Sequence, residues 1–354
     1  MPHASRAGHA DAGHERLRVR WLAAAVLLLA AVALAGLLVG PAGLSPIGIF
    51  TEVASHVPFV GVDSRLDDSG ATILWELRAP RVVLGALVGA ALALAGASYQ
   101  GAFRNPLADP YLLGVAAGAG LGATLVIIFR AQGAPSTLLP PAAFAGGLAA
   151  VFLAYGLGRS RLGDRSSVSL ILAGVTITVF LTAVQTFLQQ WHWETLQEVY
   201  SFILGGLGTG GWTDVVTVLP YILVSGCVLL VCARRLDVLL VGDAEAESLG
   251  VRVARLRLVV VVAATVLTSA AVAVSGLIGF IGIIVPHAVR LMTRASGGRV
   301  VLPLAALCGA AFLIGCDVIA RTALAPAELP IGVVTAFFGA PFFLVVLRTS
   351  REIW

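Results

Sequence analysis

From Arg78 to Val115 the chain reads RAPRVVLGALVGAALALAGASYQGAFRNPLADPYLLGV. Two arginines open an apolar run rich in Ala and Gly, and a polar, proline-punctuated segment closes it. At about 1.5 Å per residue, the run 82–102 is long enough to cross a hydrocarbon core of about 30 Å. Arg78 and Arg81 therefore stand at one membrane face, and Asn105-Pro106-Leu107 near the other. Pro80 suits a first helical turn, which places both arginines at a helix N-terminus, where the macrodipole disfavours cations. An anionic group outside the chain is the simplest reason to keep them there.

The rest of the chain extends this pattern. Of its 354 residues 58% are hydrophobic and 12% charged, with a mean hydropathy of +0.96. Ten spans of about 20 residues account for nearly all of that apolar content, so the class is an integral, all-α polytopic membrane protein. All 23 basic residues are arginine. A phosphate-binding Walker A loop needs lysine, so any ATP must be hydrolysed by another subunit. Cys227, Cys232, Cys308 and Cys316 lie inside apolar runs without CxxC spacing and read as packing residues. No cofactor is expected, no metal-ligand spacing or nucleophile–base pair suggests an enzyme, and nothing points to nucleic acid.

Spans are expected near 21–40, 82–102, 111–129, 140–158, 168–190, 212–233, 256–275, 279–295, 300–320 and 330–347. The single membrane domain is 21–350, preceded by a polar, disordered leader at 1–20. With the N-terminus in the cytoplasm, 18 of the 23 arginines fall on inner segments and 5 on outer ones, so both termini are assigned to the inside of the cell (inner) membrane. Residues 41–77 read as a solvated outer segment. Residues 191–211 read as an outer connection with belt aromatics, His192 between two tryptophans among them. Ala90–Gly96 echoes Ala270–Gly276 at an offset of 180, which Pro106 and Pro286 share. Inverted repeats, a common transporter plan, would produce such an echo.

An ion-coupled carrier keeps ionisable groups at the membrane midplane. The second to seventh spans carry none away from their ends, and His287, Arg290 and Asp317 sit toward span ends. The fifth span instead aligns Thr178, Thr182, Gln185, Thr186 and Gln189 at helical spacing. Such a neutral polar face suits either a weakly binding pathway or bonds to neighbouring helices. Between the sixth and seventh spans, 234–257 mixes charges with Leu239, Leu240, Leu249 and Val251, punctuated by Gly242 and Gly250. That pattern fits a docking element for a cytoplasmic partner. Arg321 has Asp317 as an i, i+4 partner.

Over about residues 21–350 the chain resembles the FecCD-type permeases, the membrane subunits of ABC importers for ferric siderophores, haem and cobalamin. The resemblance rests on RAPR at 78–81, GAFRNPLADPYLLGV at 101–115, LILAGV at 170–175, GDAEAESLGV at 242–251, SGLIGFIGIIVPHAVRL at 275–291 and APAELPIGVVTAFFGAPFF at 325–343. It implies a BtuC-like type II importer fold, a permease homodimer in membrane lipid, two cytoplasmic ATP-binding subunits and an extracytoplasmic substrate-binding protein. Arg78, Arg81 and Arg321 match the arginines that receive acidic residues of the binding protein. Gly242, Glu245, Leu249 and Gly250 fall in the coupling helices seated on the ATPase. The gate falls at Asn105, Pro106 and Leu107 and at Ser167 and Val168; the residue pattern, not the resemblance, adds Thr178, Thr182 and Gln185 as candidate pathway residues. Relatives can carry hydroxyls at both 167 and 168, and Val168 departs from that. Ferric siderophore is the family's commonest cargo, haem and cobalamin the alternatives; a secondary carrier is the rival from another class.

Overall fold

The computed structural model describes residues 4–56, 63–130, 136–158, 167–208 and 211–349. Fourteen α-helices follow one another: α1 Ala4–Leu38, α2 Pro46–Ser55, α3 Asp68–Thr72, α4 Ala79–Phe103, α5 Val115–Arg130, α6 Leu139–Leu157, α7 Ser167–Trp191, α8 Leu196–Leu204, α9 Gly211–Leu239, α10 Asp243–Ser248, α11 Val253–Ser275, α12 Ile281–Thr293, α13 Gly298–Thr322 and α14 Ile331–Thr349. Ten of these coincide with the ten expected spans, to within a few residues at most ends. Among the described residues seven are long and apolar enough to cross a bilayer unaided, and α5 and α12 are shorter, at 16 and 13 residues.

The most apolar windows of α4 and α11 are each 78% buried, against 11% for α1 and 22% for α7. The core is therefore an antiparallel α4–α11 pair, wrapped by the other helices, with α1 and α7 outermost. Small residues make this possible, because membrane helices gain by close backbone approach rather than by expelling water. A Cβ added at Gly89 of α4 would overlap the Gly309 carbonyl of α13. The same holds for Gly118 of α5 against the Gly146 carbonyl of α6.

Several expectations change. The leader is helical from Ala4 and continuous with the first span. The described residues of the segment expected to be outer, 41–56 and 63–77, are folded, not merely solvated: Ile49 of α2 is 1% exposed, and the Trp75 indole donates to Glu52 at 2.9 Å. The connection 191–211 contains α8, and its end reaches into the helix bundle. Gly206 N donates to Ser275 O, Leu277 N to Phe202 O, and Ile331 N to Gly205 O. These bonds satisfy the ends of α11 and α14, which irregular backbone at membrane depth requires. The 180-residue echo does not mark equivalent positions. Gly96 lies within α4, whereas Gly276 follows the end of α11 at φ +65°; Pro106 follows α4, whereas Pro286 lies inside α12.

Candidate functional site

The environment of Arg78, Arg81 and Arg321 differs from what the sequence alone suggests. Helix does not begin at Arg78: α3 and a π-helical turn over Ile73–Arg78 run into α4 without a break. The local helix start that would repel the arginines is absent. Arg78, 4% exposed, donates to the carbonyls of Leu37 at 2.8 Å and Leu38 at 3.1 Å, and to that of Ala42. Arg321, 3% exposed, donates to the Gly36 carbonyl at 2.6 Å. Both guanidiniums thus close the C-terminal end of α1, where unpaired carbonyls and the negative dipole end favour cations. Backbone carbonyls of this chain occupy both, and little of either guanidinium reaches the surface in this structure.

Arg81 behaves differently. It donates through Nε to Asp317 at 2.9 Å and, as a two-pronged pair, to both carboxylate oxygens of Glu328 at 2.9 Å. Such bidentate geometry is the strong form of the interaction. Glu328 is half exposed. Asp317 Oδ2 also lies 3.5 Å from Arg321 Nε, an ion pair without a hydrogen bond between the two atoms. Three arginines against two carboxylates leave this cluster one positive charge in excess.

At the other end of α4, Arg104 takes a left-handed conformation at φ +50°. Asn105 then accepts from Leu107 N through its side chain at 2.9 Å, and Ala108 N donates to Asn105 O. The expected gate residues Asn105 to Leu107 are therefore a tight turn just outside the buried helix, with Leu107 exposed. Ser167 and Val168 begin α7, but their side chains lie outside the described residues.

The expected polar face of α7 divides. Gln185 is buried and donates to Thr124 of α5 at 3.1 Å, and Gln189 is buried too. Thr178 is half-buried beside Gly114, while Thr182 and Thr186 are exposed. Thr178 and Thr186 return their hydroxyls to the carbonyl four residues back. That leaves them satisfied even in lipid.

The segment 234–257 carries α10 between Gly242 at φ +130° and Gly250 at φ +83°, conformations that glycine adopts without steric cost. Ala246 is fully buried and anchors the helix, whereas Glu245, Gly250 and Leu249 are exposed, Leu249 to 69%. Asp243 pairs with Arg257 at 2.8 Å and Arg104 at 3.4 Å. Arg257 Nε also donates to the Ala102 carbonyl at 2.9 Å. The α10 segment is thus clasped to the turn at the end of α4. Sequence reasoning missed Asp243, Gln100 and Glu328, whose partners Arg104, Arg290 and Arg81 lie 139, 190 and 247 residues away. Among the described residues no cluster of three His, Cys, Asp or Glu could hold a metal; His192 faces only Glu194, at 3.4 Å.

Ten apolar helices, a buried central pair and a short helix, α10, joined to the end of that pair define a polytopic membrane permease. The FecCD transport family model matches residues 27–349, and the chain belongs to that family. It is 39% identical to the cobalamin import system permease protein BtuC of Halobacterium salinarum, over 95% of this chain and 97% of that one. It is 40% identical to the hemin transport system permease protein HmuU of Yersinia pestis, over 79% and 84% respectively. A solved inward-facing structure described as a metal-chelate type ABC transporter superposes with a TM-score of 0.79, at 31% identity, covering 92% of this chain and 98% of that one. The protein is accordingly an integral membrane permease of an ABC importer, of the BtuC type.

Proposed function

We propose that two copies of this chain form the pathway of a metal-chelate importer, powered by two cytoplasmic ATPase subunits and loaded by an extracytoplasmic binding protein. The clasp of Asp243 on Arg104 and Arg257 carries this reading. It ties the exposed, Leu249-bearing segment that would seat on an ATPase to the Asn105–Leu107 turn that would gate the pathway. Movement of α10 on ATP binding would reach the gate through two ion pairs. On the outside, the binding protein docks at Arg81 and Glu328, its carboxylates exchanging with Glu328. The excess positive charge of the cluster favours an acidic partner.

Both termini lie in the cytoplasm, the chain performs no covalent chemistry, and its outermost α7 faces the second copy. Cobalamin becomes the first candidate cargo, because a relative covered almost end to end carries that name; ferric siderophore and haem are the competing classes. The test is reconstitution of the permease with its ATPase and binding protein in liposomes. Uptake of cobalamin, haem and a ferric siderophore is compared under ATP and under an ion gradient alone. ATP-dependent uptake of one class is expected. Uptake driven by the gradient without ATP would replace the importer with a secondary carrier.

A further inference from the structure

We propose that the cytoplasmic cleft between α9 and α11 binds an anionic phospholipid of the inner leaflet. The cleft encloses about 400 Å³. Its rim carries Arg235 of α9 with Arg252 and Arg255 at the start of α11, and its floor is Cys232, Leu256 and Val259. The three arginines are exposed and, among the described residues, make no ion pair or side-chain hydrogen bond. The neighbouring aspartates are committed elsewhere. Asp243 is held by Arg257 and Arg104, and Asp237 by Arg299 and Gly298 N. Three uncompensated cations therefore share one concave site.

The shape of the site selects the ligand. Guanidinium forks match phosphate oxygens two at a time. Below them the lining turns apolar and runs onto the outward surface of the spans, where Val259 is 43% exposed, Leu258 42% and Val231 77%. A phosphate head with an acyl tail meets both halves, whereas a polar ATPase surface leaves the apolar floor unmatched. Clustered arginines beside a span are also where the anionic leaflet acts most strongly. The inner-leaflet placement rests on the proposed topology, and Gly250 and Val251, which also line the cleft, adjoin the segment that would seat on the ATPase; lipid capture itself requires neither the ATPase nor the binding protein.

The experiment uses the full-length permease in nanodiscs of POPC and POPG at 3:1, with retained lipid counted by native mass spectrometry. Wild type should retain POPG in preference to POPC. The triple variant Arg235→Gln, Arg252→Gln, Arg255→Gln should lose that retention roughly tenfold or more. A control triple, Arg20→Gln, Arg234→Gln, Arg348→Gln, removes the same charge from the same membrane face outside the cleft and should retain POPG. Equal loss in both triples would reduce the effect to general surface charge and overturn the site. Displacement of POPG by millimolar inorganic phosphate would make it a free-anion site instead. Unchanged POPG with weakened ATPase association would assign the cleft to the ATPase.

Discussion

Asp317 shows how much of this membrane edge is internal architecture. It is 1% exposed and lies between Arg81 and Arg321, so Asp317→Asn leaves the buried Arg321 without its counter-charge, while Arg81 keeps Glu328. Loss of one partner from a buried pair costs about 3–5 kcal/mol, and thermal unfolding in detergent should show it. The arginines themselves separate by role. Arg78→Gln should lower the unfolding temperature, since three carbonyls lose their donor, while binding-protein affinity of the folded fraction holds. Arg81→Glu should weaken that affinity at least tenfold. The reverse pattern would return Arg78 to the docking surface. Glu52 offers a pH test on the outer segment. Hydrogen bonds from Ser64 and then Trp75 hold its carboxyl below the usual carboxylate range, with His56 adding to the effect. A depressed carboxylate stabilises the fold above its unfolded value and loses that contribution as pH falls through the folded one. Wild type should therefore show an acid-side change in tryptophan fluorescence, with its midpoint below the ordinary Glu value of about 4.3. Glu52→Gln should lack that change.

At the scale of elements, glycine pairs set how closely helices approach, and the chain's excess of small residues made that legible in advance. Which pairs meet was not legible, because Gly89 and Gly309 belong to helices 220 residues apart. Gly89→Leu forces a side chain against the backbone of α13, which cannot step aside. Overpacking costs about 1–3 kcal/mol, and it should appear as reduced yield and a lowered melting temperature. The clasp at Asp243 gives a functional prediction. Asp243→Asn should preserve assembly with the ATPase, because Ala246 still anchors α10 and Leu249 still faces out. It should lower cargo-stimulated ATP turnover several-fold while basal turnover remains. Loss of assembly would instead make Asp243 part of the ATPase contact. The short α12 shows where periodicity misleads. Its 13 residues span about 20 Å at 1.5 Å each, yet apolar residues continue before it through Leu277, Ile278 and Phe280, so the sequence alone suggested a longer span.

For the whole molecule, the outward faces of α1 and α7 point to what surrounds the chain. A soluble domain with so little of two long helices buried would aggregate; in a membrane permease lipid can cover such faces, and the proposed second copy would take that of α7. The prediction is a purified permease of two copies, which crosslink through Thr182→Cys on the exposed side of α7. A monomer that still transports would remove the dimer pathway from the proposal.

Span number, arginine bias, the small-residue helix and the ordered motifs were all properties of the sequence. Each is local or compositional: a bilayer selects apolar length, and its leaflets sort charge, without reference to distant residues. The partners of the arginines were decided only by tertiary structure. Read along the chain, Arg78 and Arg81 stand at the foot of α4 with nothing nearby to answer them. Folding brings the end of α1 to Arg78 and Asp317 and Glu328 to Arg81, and no periodicity encodes encounters between segments dozens to hundreds of residues apart. The same physics explains α8 and the segment that follows it, which sequence placed outside and folding drew into the bundle. Helix ends left at membrane depth must find hydrogen-bond partners within the protein, and these residues supply them.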